Sequence, residues 1–259
     1  FVSHPTGGMV WAHHSYAEYL AAIFVKEHGP ALEQTRQLLL NPNDSSVIPQ
    51  LAGVTAWLAL LDPPTFELVL QANPDFLLTN AISTADMDKR QQIVESLLQY
   101  YDKELGLPEW FSPLSNYTRL KNPDLSIQLS IYIEDKSKSF LARRTAIDIA
   151  IANELRDLSS VFLKVALNDE DIESLRLNCA DAIVSFGDEE TRLKLLPLAK
   201  GEHGAKFNDE LKYYGLKAVW PALITIEELF GLLTYPSNPN LLGQYFDFLT
   251  RHLPESLKL

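Results

Sequence analysis

Three stretches in the second half of the chain can be laid over one another, and this repeat restricts the fold more than any other feature. Leu141-Ala142-Arg143-Arg144-Thr145-Ala146-Ile147-Asp148-Ile149 matches Leu175-Arg176-Leu177-Asn178-Cys179-Ala180-Asp181-Ala182-Ile183. Both match Leu211-Lys212-Tyr213-Tyr214-Gly215-Leu216-Lys217-Ala218-Val219, at offsets of 34 and then 36 residues. In each, the leading leucine, the small or apolar residue five later and the β-branched residue eight later share one helical stripe. A second helix accompanies each, predicted over Leu158 to Leu167, Thr191 to Leu198 and Ile226 to Leu233. The last opens with a capping box, Thr225 and Glu228. One such pair cannot bury its apolar face alone, so the units must stack, with Ala146, Ala180 and Leu216 between neighbours.

Two-helix units at this period predict an all-α chain, a HEAT-like α-solenoid of stacked antiparallel helix pairs, clearest over residues 139–235. The first half agrees. Asp62-Pro63, Asn73-Pro74 and Asn122-Pro123 each set an N-cap residue before a proline at the first helical position. Ser237-Asn238-Pro239 repeats the pattern near the end. Helices are predicted over residues 14–28, 31–40, from Ile48 or Pro49 to Leu61, and over 87–104. Between Pro108 and Pro113 a loop carries Trp110-Phe111. These rings are either a partner contact, since aromatics supply much of the binding energy at interfaces, or a plug folded back between units.

The N-terminal stretch is of another kind. Met9 to Ala12 is a short apolar run after Gly7-Gly8 and suits a strand leaving a turn. From Ser15 onward, Tyr16, Tyr19, Leu20, Ile23 and Phe24 recur at helical spacing. Ser15 is placed as an N-cap, and Glu18 would complete a capping box. His13 and His14 lie at the junction.

This junction resembles the end of the winged-helix region in NACHT-type signalling NTPases, the relatives of NLR immune receptors. There an apolar strand is followed by His, any residue, Ser or Thr, an aromatic, any residue, Glu, an aromatic, a large apolar residue and Ala-Ala. His13, Ser15, Tyr16, Glu18, Tyr19, Leu20, Ala21 and Ala22 fill those places in order. The run from Asp209 through Pro221, then Glu227-Glu228-Leu229-Phe230 and Gly243-Gln244-Tyr245-Phe246-Asp247-Phe248-Leu249, is similar to helical repeats behind the NACHT module of bacterial proteins. The resemblance implies residues 1–28 as the end of a winged helix and 29–259 as repeats that continue beyond the chain. It implies that His13 faces the phosphates of a nucleotide in the resting state; capping or packing at the junction is the alternative. It also implies a cytoplasmic parent that holds ATP or ADP with Mg, oligomerises on activation, and acts in antiviral defence. The repeats would sense a protein or peptide and contact the parent's own NACHT module.

Composition sets limits. The chain has 259 residues, 46% of them hydrophobic, which is ample for a core. A net charge of -12 argues against nucleic acid and favours a partner with basic patches. A single cysteine, Cys179, excludes an intrachain disulfide framework and is expected to pack in a repeat stripe. No apolar run approaches the length of a membrane span. No Gly-rich stretch ends in Gly-Lys-Ser or Gly-Lys-Thr, so no phosphate-cradling loop is present and this chain is expected to hold no cofactor and catalyse nothing. The acids of Asn168-Asp169-Glu170-Asp171 are expected to cap the following helix. His14 with Glu18 is too small a set for zinc, and His203 reads as a loop residue. Rival readings are a free-standing HEAT-like protein-binding scaffold and, against the acidic charge, a HEAT-like enzyme acting on nucleic-acid bases.

Overall fold

The computed structural model describes the chain apart from residues 1, 4–6, 8, 12, 30, 44, 79, 104, 106–113, 203–208, 238–242 and 258–259. Among the described residues the regular structure is helical, save a two-residue antiparallel ladder of β1 (Val2–Ser3) with β2 (Met9–Val10) and a lone bridge of Leu40 with Val47. The chain forms two compact units, one of residues 1–128 with 139–142, the other of 129–138 with 143–259.

The helices of the first half are α1 (His14–His28), α2 (Leu32–Leu39), α3 (Ala52–Leu61), α4 (Pro63–Ala72), α5 (Met87–Asp102) and the single turn α6 (Leu114–Tyr117). α3 packs on both α1 and α4, burying Thr55, Ala56, Leu58 and Ala59. Asp62 ends α3 and opens α4: its carboxylate accepts from the Thr65 N–H at 3.0 Å and from the Thr65 hydroxyl at 2.5 Å. Pro63 and Pro64 then fill first-turn positions where a missing N–H loses nothing. Asn73 behaves otherwise. It precedes only a 3-10 turn, Pro74–Leu78, because its amide is spent on tertiary bonds: Oδ1 accepts from the Val47 N–H and Nδ2 donates to the Tyr100 hydroxyl, both at 2.9 Å. α5 supplies the core of this unit through Ile93, Val94, Leu97, Leu98 and Tyr101.

Next come α7 (Leu125–Glu134), α8 (Phe140–Ala152), α9 (Ser159–Leu167), α10 (Glu173–Phe186), α11 (Glu189–Leu193), α12 (Leu196–Lys200), α13 (Asp209–Val219), α14 (Ile226–Leu232), α15 (Gln244–Asp247) and α16 (Leu253–Ser256). Asn122 was expected to cap α7 directly; its side chain instead holds the Asp124 N–H at 3.0 Å, and the helix starts at Leu125. α10 packs on α9 and α13, and α13 on α12. The helix expected from Thr191 to Leu198 is broken in two. Pro197 has no N–H to give and its ring would strike the carbonyl four residues back, so α11 stops at Leu193 and α12 restarts at Leu196. The capping box at Thr225 and Glu228 is formed.

Similar buried stripes recur in α8, α10 and α13, in a register that differs from the overlay of leucines. The buried stripe is Ala142, Arg143, Ala146, Ile147, Ile149 and Ala150 in α8, then Leu175, Arg176, Cys179, Ala180, Ala182 and Ile183 in α10. The same pattern in α13 is Leu211, Lys212, Gly215, Leu216, Ala218 and Val219. The stripes thus begin at 142, 175 and 211, and Leu141 is only half-buried. Ala146, Ala180 and Leu216 are fully buried as expected. Yet the residue equivalent to Ala146 is Cys179 and then Gly215, so each of the three is small. At Gly215 a Cβ would collide with the backbone of Leu198 and Ala199, so α13 approaches α12 that closely. Beyond α13, Tyr213, Leu216, Leu229, Tyr245, Phe248 and Leu253 form a further core, and the Trp220 indole N–H donates to the Ser256 hydroxyl at 2.9 Å.

Candidate functional site

The strand–helix junction places His13 at the N-cap of α1 with extended backbone, φ -143° and ψ 135°. Its Nδ1 accepts from the Ser15 N–H at 3.4 Å and lies 2.7 Å from the Ser15 hydroxyl. With Nδ1 accepting, the neutral ring carries its proton on Nε2. The ring is exposed. An outward N–H donor therefore stands at the positive end of a fifteen-residue helix.

The capping box expected from Ser15 to Glu18 does not form, since the cap is two residues earlier, at His13. Glu18 faces α3 instead. Its carboxylate lies where a Cβ on Gly53 would be, over the first turn of α3, where the helix dipole favours a negative charge. His14 Nε2 is 3.9 Å from the same carboxylate. Tyr19 sets its ring edge-on to Trp57 of α3, with centroids 5.1 Å apart. On the other side of α1, Tyr16, Leu20 and Phe24 are exposed.

No protein-family model, curated protein or solved structure matches the chain.

Trp110, Phe111 and His203 lie outside the described residues. Cys179 is fully buried, and burial pushes its thiol well above the ordinary range, so it is a packing residue and not a nucleophile. The acids before α10 do not cap it. The N-cap is Ile172, and Asp171 is drawn inward to the buried Arg143. Among the described residues, no group of three His, Cys, Asp or Glu side chains could hold a metal ion, and no helix is long and apolar enough to cross a membrane.

Sequence reasoning overlooked three buried cations, Arg143, Arg176 and Lys212, which take the same place in α8, α10 and α13. Their signal was present: each follows directly the first buried residue of its stripe. Arg143 donates to the Ile133 carbonyl near the end of α7, at 3.0 Å from Nη2. Arg176 Nε donates at 3.2 Å to the Ala166 carbonyl near the end of α9. Carbonyls in a last helical turn lack a partner within their own helix.

In the first unit a groove of about 570 Å³ runs along α4 and α5. Glu67, Gln71, Asp88, Gln92, Glu95 and Gln99 line it. Amides that both donate and accept, set among carboxylates, suit the backbone of an extended peptide with basic side chains.

Proposed function

We propose that this chain is the non-catalytic regulatory and sensing region of a NACHT-type signal-transducing ATPase. In this reading residues 1–28 end a winged helix, and 29–259 form a HEAT-like solenoid that recognises a protein or peptide trigger. The parent supplies the phosphate-binding loop and holds ATP or ADP with Mg; it works in the cytoplasm, in antiviral defence, and oligomerises on activation. The observation that carries the reading is His13: an exposed ring at the N-terminus of α1, its Nδ1 held by Ser15 and its other nitrogen turned to solvent. That arrangement meets a phosphate with both a donor and a helix dipole. The all-helical repeat pattern and the carboxylate-rich groove of α4 and α5 support the sensing role and a basic trigger.

A second reading rests on the same bond. A histidine that caps α1 through Nδ1 does a structural job with no nucleotide near it, as a free-standing scaffold requires. Two substitutions in the intact parent separate the readings. His13→Asn keeps a capping side chain but removes the outward donor; His13→Ala removes both. If His13 reads nucleotide, both variants retain ADP less well and raise basal signalling. If His13→Asn holds ADP and stays as quiet as wild type, His13 is a cap and the nucleotide reading fails.

A further inference from the structure

A groove of about 560 Å³ lies along α9, α11 and α12. Its floor is aliphatic: Leu163 and Leu167 from α9, Leu193 from the end of α11, and Leu196 with Pro197 from the start of α12. The break that Pro197 imposes between α11 and α12 opens this floor, and Leu167 and Leu193 remain 37% and 46% exposed. The charged residues that line it are Lys164, Lys194 and Lys200, all positive, on a chain of net charge -12.

From this we infer that the groove docks an acidic amphipathic helix of a partner protein, apolar side chains on the leucine floor and carboxylates on the three lysines. Helix-in-groove recognition lays the apolar face of an amphipathic helix into an apolar trough, and the lysines beside this one favour carboxylates on the helix. Lys164 is held by Glu134 at 3.0 Å and Lys194 by Glu190 at 2.7 Å, both at the surface. Exposed ion pairs of this kind contribute little, so these lysines can exchange partners at small cost. Nucleic acid fits poorly: no aromatic ring lines the groove to stack a base, and the net charge repels a polyanion. The inference does not rest on the nucleotide reading, and it reverses locally the preference for basic partners drawn from net charge.

The test uses the full chain and a fluorescent helical peptide with Leu at i, i+3, i+4 and i+7 and Glu elsewhere, followed by anisotropy. A second peptide carries Lys in place of every Glu. The Glu peptide should bind, the Lys peptide should not, and added salt should weaken binding. Lys194→Glu with Lys200→Glu should weaken it about tenfold or more. Leu193→Ser, at a position 46% exposed, should weaken it while leaving the melting temperature in place. Equal binding of both peptides, or no response to either variant, overturns the proposal. So does tighter binding to phosphatidylserine vesicles than to the Glu peptide through the same lysines, which would make the groove a lipid site.

Discussion

The guanidinium of Arg143 closes on the carboxylate of Asp171 through two parallel hydrogen bonds, Nη1 to Oδ1 at 2.7 Å and Nη2 to Oδ2 at 2.8 Å. Both side chains are almost wholly buried, 2% and 3% exposed. The Ile172 N–H also donates to Oδ1 at 2.8 Å, and the Ile133 carbonyl takes further guanidinium N–H groups. A bidentate pair with its remaining groups satisfied offsets the desolvation that burial costs.

Removing one partner should therefore be severe. Asp171→Ala leaves a buried cation without its counter-charge and should lower the unfolding free energy by about 3–5 kcal/mol. Urea denaturation measures it directly. A loss below about 1 kcal/mol would place the pair among surface bridges of little consequence.

Two aspartates in this half should give opposite pH responses. Burial pushes Asp171 up, but the bonds from Arg143 and the Ile172 N–H outweigh it and hold its pKa below the ordinary value. A depressed folded pKa adds stability that is present above the unfolded value of about 3.9 and lost as pH falls through the folded pKa. Asp181 is raised by burial, with Lys217 opposing. Its charge is a burden on the folded state at neutral pH. Asp181→Asn should accordingly raise the melting temperature at pH 7, with the gain shrinking as pH falls through the raised pKa and gone below the unfolded one. A gain that stayed constant down to acid pH would show that Asp181 acts through packing and not charge.

Two helical glycines should answer the same substitution with opposite signs. Gly231 in α14 has open space where a Cβ would stand, so Gly231→Ala should stabilise by up to about 1 kcal/mol through helix propensity alone. Gly215→Ala meets the backbone of α12, which cannot swing aside as a side chain would, and should destabilise by about 1–3 kcal/mol despite the same propensity gain. Thermal melts of the two variants side by side decide it. Stabilisation of both would mean that α12 yields easily.

The helical character and the caps at Asp62 and Thr225 were legible because they depend on local rules of periodicity and capping. What failed depended on contacts between elements. The overlay slipped by one residue because Leu141 looks more like a core residue than Ala142, although a helix approaching its neighbour closely favours the smaller side chain. Ser15 looked like the cap because hydroxyls usually are; His13, two residues earlier and extended, caps instead by accepting from the Ser15 N–H itself. Asp171 read as a capping acid because a buried arginine 28 residues away cannot be paired with it from spacing alone. The lysine-rimmed groove was hidden for a related reason: its residues come from three helices, and only the break at Pro197 opens the floor.

The carbonyls of Ile133 and Ala166 receive their donors from arginines ten residues further on, in the next helix. For a chain made one residue at a time this sets an order of completion. The last turn of α9 has this side-chain donor only once Arg176 is in the chain and packed against it. A fragment cut in the loop between α9 and α10 leaves a helix whose end lacks the Arg176 donor and whose α10-facing side has no cover.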